Sequence, residues 1–340
     1  MRGPEERQWY GRPSRYRQNG HAAVGKIDFL ITRVAKRLKV SRKTMFRLVK
    51  TRRMATHPIG VIERRRSAAQ VLEGSKWRGF LPRVSAFKTF AKEDIPGLGS
   101  VVAICQRVLA GYEPENVKSS QSKKPFFSNL LTQDDLAAQP GILEFAISPA
   151  VTQIVTDYLG AVPRMHCLGI FVSPPTDTLI SSQCFHLDEH DFNQVKIFVN
   201  LHDVTENEGP FTFLPAPETE AVCRAVGKGW GSGRLTDEEV LRHTAPEKVV
   251  RLTGAAGEGA FVDSSRCLHY GSRTHRGRRA VLMIQYVPAP DALVEKDKPE
   301  MPGYPLTHFP PEQVPKDGVA RLMLAPHGFG GFSTAGGDGQ

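Results

Sequence analysis

The sequence predicts a mainly β domain, a sandwich or jelly roll supported by helices and preceded by a basic helical arm. Three observations lead there. Seven short strand-like runs, MHCLGIFV, LISSQCF, QVKIFVNL, PFTFLP, EKVVRLT, GAFVD and AVLMIQYVP, are separated by Gly, Pro, Asp and Ser. The apolar segments ahead of them follow the helix period instead. Charge is also segregated. Residues 1–92 hold 24 Lys/Arg against 5 Asp/Glu, whereas residues 93–340 are net acidic, within a chain of +10 overall.

The arm comes first. Residues 1–20 are polar, Arg-rich and read as disordered. From His21 to Met54 the chain reads as helical, with Ile27, Leu30, Ile31, Val34 and Leu38 on the helix period. Ser41 is placed to cap a second helix carrying Met45, Phe46, Leu48 and Val49. The segment VAKRLKVSRKTMFRLVK has the look of a helix-turn-helix unit whose basic face meets phosphates. Its other readings are an amphipathic helix touching anionic lipid, a solvated basic face, or a transit peptide.

Further on, VVAICQRVLA reads as a buried helix, residues 112–126 as a polar loop, and GILEFAISPAVTQIVTDYL as helix broken near Pro149. The strand runs follow, then Pro and Gly clusters whose last dozen residues read as flexible. The expected domains are a basic arm over 1–92, a catalytic jelly roll over 93–300 and an extension over 301–340.

Composition bounds the class. A hydrophobic content of 40% and a charged content of 24% in 340 residues fit a globular chain. No apolar run approaches the roughly 18 residues of a membrane span, and no signal-peptide core stands near the start. The five cysteines are odd in number and form no CxxC pair, so reduced thiols in a cytoplasm are expected. Cys184 and Cys267 read as core.

The chemistry centres on Cys184 to Pro217. His186 and Asp188 stand two apart, so on an extended segment they face one way. His269 lies far downstream in GAFVDSSRCLHYGSR. Two histidines and one carboxylate on one face of a metal, with three positions open, is the arrangement of non-haem Fe(II) oxygenases. Arg279, ten residues past His269, is suited to hold the far carboxylate of a 2-oxoglutarate cosubstrate. Arg278 is the alternative, since neighbours on a strand point to opposite faces. Ser272 offers a hydroxyl to the same carboxylate or serves the turn. His190 shares a face with Asp188 only if the strand runs straight, and the polar DEHDFN predicts a loop instead. His202 is a weaker candidate. Asp263 reads as a turn residue, Gly209 and Pro210 as a turn, and Phe185 and Tyr270 as packing beside the ligands.

Taken in order, FHLD, VKIFVNLHDVTENEGPFTFLP, GEGAFVDSSRCLHYGS and RRAVLMIQYVP resemble the phytanoyl-CoA dioxygenase family of Fe(II)/2-oxoglutarate oxygenases. The resemblance runs from about Arg164 to Pro288. One departure is FLPAPETE, where relatives often show Pro-Gly-Ser-His. The resemblance implies a double-stranded β-helix (jelly roll, cupin-like) core with Fe(II) on His186, Asp188 and His269. It implies 2-oxoglutarate and O2 as cosubstrates and succinate and CO2 as products. The reaction implied is hydroxylation of an unactivated C–H of a small-molecule or lipid-like substrate. A carboxylate at 188 argues for oxygenation over halogenation, which in relatives goes with a small residue there. Three rivals stay open: a nucleic-acid-directed dioxygenase using the arm, a divalent-metal (Zn) protein on the same barrel, and a binding module without turnover.

Overall fold

The computed structural model describes residues 27–112 apart from 29, 32 and 36, residues 126–290, residue 315 and residues 318–324. The start expected to be disordered, the polar loop over 113–125 and the glycine-rich end lie outside them. Described residues between 27 and 37 are helical. Ser41 then caps α1 (Arg42–Thr56), its side chain accepting from the Thr44 N–H. Pro58 opens α2 (Pro58–Val71). Next come β1 (Phe87–Phe90), α3 (Leu98–Ala110), β2 (Ser128–Asn129), α4 (Gln133–Ala138), α5 (Gly141–Ala146) and α6 (Pro149–Leu159). The helix break expected at Pro149 is the gap between α5 and α6.

The remaining chain weaves between two antiparallel sheets. β3 (Arg164–Ser173), β5 (Val195–Asn200), β9 (Gly259–Val262) and β11 (Arg279–Val287) lie in one, ordered β1-β9-β5-β11-β3-β2. β4 (Phe185–His186), β6 (Thr212–Phe213), β7 (Arg234–Leu235), β8 (Val250–Arg251) and β10 (His269–Tyr270) lie in the other, ordered β7-β4-β10-β6-β8. From β3 to β6, and again from β8 to β11, successive strands change sheet, which is jelly-roll architecture. Phe198 of the first sheet stacks on Phe211, just before β6 of the second, at 3.9 Å between ring centres. The inner faces therefore meet.

One sequence expectation is corrected. LISSQCF contributes only Phe185 and His186 to a strand. Ser181–Gln183 is a 3-10 turn, and the Gln183 side chain accepts the Ile180 N–H. FLPAPETE, the departure from the relatives' pattern, enters α7 (Ala216–Ala225), with Pro at its first turn. Residues before 92 and after 300 contribute to the sheet and the core. β1 pairs with β9 in the main sheet, and Leu81, Leu322 and Met323 are core residues. Arg64 of α2 is wholly buried and donates to the carbonyls of Val162, Pro163 and Leu322. It ties α2 and α8 (Gly318–Leu324) to the entry of β3. Burial lowers its pKa to about 10, and the three carbonyls supply the acceptors that water would otherwise supply.

Asp263 ends β9 as a turn residue, as expected. Its buried carboxylate accepts from the Tyr158 hydroxyl (2.8 Å) and from the backbone N–H groups of Ser265 (3.0 Å) and Gln194 (3.3 Å). Burial pushes its pKa up to about 7 despite those bonds. Asp263→Ala is expected to cost about 2–4 kcal/mol in urea unfolding, because three buried donors lose their acceptor. Asp263→Asn should retain most of that stability. The raised pKa means the fold favours the protonated acid. The aspartate's contribution is then fullest below the ordinary carboxylate range and falls as pH rises through about 7. Measured against Asp263→Asn, wild-type stability should decline between those limits.

A candidate metal site facing a buried arginine

The site begins with strand register. β10 pairs with β4 so that His269 stands directly opposite His186. Opposed residues of an antiparallel pair share a face. The two rings lie 4.3 Å apart between centres. In each, Nδ1 lies 2.9 Å from a backbone carbonyl two residues back, Cys184 for His186 and Cys267 for His269. A carbonyl only accepts, so Nδ1 carries the proton and Nε2 presents its lone pair. The two cysteines thus serve the site through their backbone, which the sequence reading missed. Burial, and next the neighbouring His186, lower the His269 pKa to about 3, so its ring is neutral.

Asp188 completes the group. Its backbone N–H donates to the Ser264 carbonyl (2.8 Å), which holds the loop after β4 to the turn after β9. Its Oδ1 lies 3.8 Å from His186 Nε2 and its Oδ2 lies 3.6 Å from His269 Nε2. Ligand atoms of all three residues fall within 4.8 Å of one another. Burial alone would raise the Asp188 pKa. Lys196, with the two histidines, outweighs it and holds the carboxyl well below the usual range. Lys196 Nζ sits 2.6 Å from Oδ2 but off its hydrogen-bonding directions, so that buried oxygen has no directed donor. A hard anionic oxygen beside two lone-pair nitrogens is a donor set that fits a divalent transition ion.

Arg279 and Arg278 are separated by the register. Arg279 pairs with Ser173 and is 3% exposed, whereas Arg278 is exposed. Arg279 Nη2 donates to Ser272 Oγ (3.4 Å), which also accepts from Ser173 Oγ (2.8 Å). Nε and Nη1 are buried and find no hydrogen-bond partner among the described residues. Burial lowers the Arg279 pKa to about 10, and a guanidinium stays charged there at neutral pH. Gly271, two residues after His269, passes so close that a Cβ there would meet Nη2 at 3.3 Å. Ser272 holds φ 61, a conformation unusual for a side-chain-bearing residue, and so turns its hydroxyl toward Arg279.

The other candidates fall elsewhere. His190 packs its ring against His166 at 4.6 Å and is not part of the His186, Asp188, His269 group. His202 Nε2 accepts the Ala280 N–H, a structural bond at the sheet end. Phe185 and Tyr270 pack edge-on in a separate apolar cluster, and the Arg273 guanidinium lies 3.4 Å above Tyr270. The aromatic neighbour of the site is instead Phe211, 5.4 Å from the His269 ring. Gly209 turns at φ 68 where a Cβ would strike the Arg273 backbone at 2.4 Å, so the Gly-Pro turn is structural.

Two features were not read from sequence. Lys196, Gln285 and Cys167 are cross-strand neighbours in one row, and the Lys196–Asp188 contact turns that row toward the histidines. The signal was the alternation in VKIFVN, which puts Lys196 on the face of Phe198 and Asn200. The second feature is α1, which packs on the loop that follows Asp188. Arg42 pairs with Glu189 (2.6 Å), Lys50 pairs with buried Asp191 (2.5 Å), and Phe46 and Phe192 both pack on Trp230.

No family model and no curated protein matches the chain. Among solved structures, it is similar to the epimerase SnoN in complex with Fe3+, alpha ketoglutarate and nogalamycin RO. That match has 18% identity, 70% coverage of this chain, 96% of that one and a TM-score of 0.41. It is also similar to the alpha ketoglutarate dependent carbocyclase SnoK from nogalamycin biosynthesis (17%, 63% and 84%, TM-score 0.42). A third is EctD from S. alaskensis with 2-oxoglutarate and 5-hydroxyectoine (16%, 61% and 73%, TM-score 0.40). At these scores the likeness adds nothing to what the chain's own side chains say.

Because the Lys196 ammonium contacts the oxygen a cation would need, it competes with a metal. Lys196→Met is expected to tighten Co(II) binding by about ten-fold in anaerobic titration calorimetry. The same change should lower metal-free stability by about 2 kcal/mol, through loss of a nearly buried ion pair. His186→Ala should abolish Co(II) binding.

Proposed function

We propose that this chain is an Fe(II)- and 2-oxoglutarate-dependent oxygenase that hydroxylates an unactivated C–H of a small-molecule or lipid-like substrate. The observation that carries this reading is Arg279. A buried guanidinium with two nitrogens that find no hydrogen-bond partner among the described residues is costly to hold. It becomes reasonable if a carboxylate arrives to fill the fork. The Ser173–Ser272 hydroxyl pair beside it supplies the neutral half of a carboxylate cradle.

His186 and His269 would hold iron through Nε2, and Asp188 through a carboxylate oxygen. When bound with the keto acid and O2, the metal supplies the oxidising power for C–H cleavage while 2-oxoglutarate leaves as succinate and CO2. The chain's own residues bind, orient and exclude water. The Cys184 and Cys267 carbonyls fix the ring tautomers. Arg279 would bind the distal carboxylate of the cosubstrate. Phe198 and Phe211 form an apolar wall beside His269 that keeps water from the reacting centre.

Gln285 lies beside Lys196 in the cross-strand row that meets Asp188. With the far carboxylate of the cosubstrate on Arg279, the polar heads of this row suit a substrate with a polar or anionic group near the oxidised carbon. A hydrolytic zinc protein on the same barrel would leave the Arg279 fork without a purpose. A nucleic-acid-directed enzyme is disfavoured because Arg42, Lys50, Arg52 and Arg53 pair with acids of this same chain.

Arg279→Leu is expected to raise the 2-oxoglutarate concentration for half-maximal substrate-independent decarboxylation by roughly 10- to 150-fold. That corresponds to a bidentate pair of about 1.5–3 kcal/mol. Arg278→Leu should behave as wild type. Co(II) affinity should be nearly unchanged in both. A normal 2-oxoglutarate requirement in Arg279→Leu would remove the main support for the oxygenase reading.

A further inference from the structure

We infer that the N-terminal helices dock on an anionic lipid bilayer through an outward apolar stripe flanked by basic side chains. The helical segment before α1 is inverted in polarity. Ile27, Leu30, Val34 and Leu38 are 46%, 58%, 46% and 70% exposed. Their spacing of three, four and four puts them along one side of the segment. The opposite side is buried and includes a charge. Asp28 is fully buried and accepts from Arg52 Nη1 (2.6 Å) and Arg53 Nε (2.8 Å), and Ala35 packs beside Met45 and Phe46. A helix whose only task was to pack on this protein would turn its leucines inward. Here two arginines of α1 hold the acid inward, and the leucines are left outside.

The neighbouring surface repeats the pattern. Leu48 of α1 and Ile59 and Ile62 of α2 are exposed as well. Exposed Arg33, Arg37, Lys39, Lys43 and Arg47 accompany them. An apolar stripe with basic flanks and low overall hydrophobicity is the composition of a helix lying in a membrane interface. Among the described residues no helix is long and apolar enough to cross a membrane, so contact would be at the surface.

Charge selects among occupants. A second copy would cover the stripe but bring two strongly basic arms together, 24 Lys/Arg against 5 Asp/Glu in each. Nucleic acid would satisfy the cations but leave the leucines in water. Only an anionic bilayer accepts both, its headgroups taking the Lys/Arg and its acyl boundary taking the stripe. Docking does not depend on the oxygenase reading.

The test is flotation of the full-length protein with vesicles of phosphatidylcholine alone, or with about one third phosphatidylserine, at low and high salt. Binding is expected to the anionic vesicles and to weaken with salt. The triple variant Leu30→Glu, Val34→Glu, Leu38→Glu should lose binding by roughly 100-fold or more, with circular dichroism and thermal unfolding unchanged. Leu38→Glu alone, at the most exposed position, should show a smaller loss and keeps the test intact if the triple variant does not fold. Failure to float with anionic vesicles overturns the inference, as does flotation undiminished in both variants. A wild-type dimer that the triple variant dissolves would assign the stripe to a second copy. DNA binding with vesicles ignored would assign the surface to nucleic acid.

Discussion

The pairing of His269 with His186 across β10 and β4 is the constraint on which the candidate site depends. It is one rung of a short ladder, and a slip of one residue would turn either ring to the opposite face. Several weak features hold the rung together. β7 and β6 extend the sheet on either side, and the Leu214 N–H reaches the Leu268 carbonyl at 2.8 Å. The ring tautomers come from carbonyls within each histidine's own segment, so local backbone geometry and cross-strand register agree about where Nε2 points.

Two charged groups on the inner face differ in how they are satisfied. In one, Lys196 neutralises Asp188. In the other, Arg279 has among the described residues one hydrogen-bond partner, the Ser272 hydroxyl. The two differ in energetic character. The lysine–aspartate pair is a self-contained arrangement at the histidines, whereas Arg279 is an unfinished one whose burial costs stability. Natural proteins keep such groups mainly where a ligand completes them. The Phe198–Phe211 stack lies against His269, and apolar rings there strengthen the electrostatic interactions beside them.

The N-terminal region connects site and surface. Its basic excess first suggests an external polyanion, yet part of that charge is spent inside the molecule. Lys50 and Arg42 meet the acidic loop that follows Asp188, and Arg52 and Arg53 hold Asp28. Phe46 and Trp230 add apolar contact at the same place. α1 is therefore a buttress of the ligand loop as well as the base of the outward helix. Whatever the outward surface meets is mechanically joined to the loop that bears the carboxylate.

Local sequence determined a good deal by itself. The i, i+2 spacing of His186 and Asp188, the strand period of the late runs, the Ser41 cap and the break at Pro149 all act over a few residues, and local sterics decide them. The grouping of His269 with that pair was legible only as a long-range match of patterns. Tertiary structure decided the rest. It buried Arg279 and left Arg278 exposed, because only strand register says which of two neighbours faces inward. It set the Cys184 and Cys267 carbonyls against the two Nδ1 atoms, since a hydrogen bond's partner is a matter of position in space. It brought Lys196 to Asp188, and it drew residues 58–92 and 318–324 into the core through Arg64 and β1. In each case the deciding contact joins segments far apart in the chain, and its energy comes from burial and pairing that no local window contains.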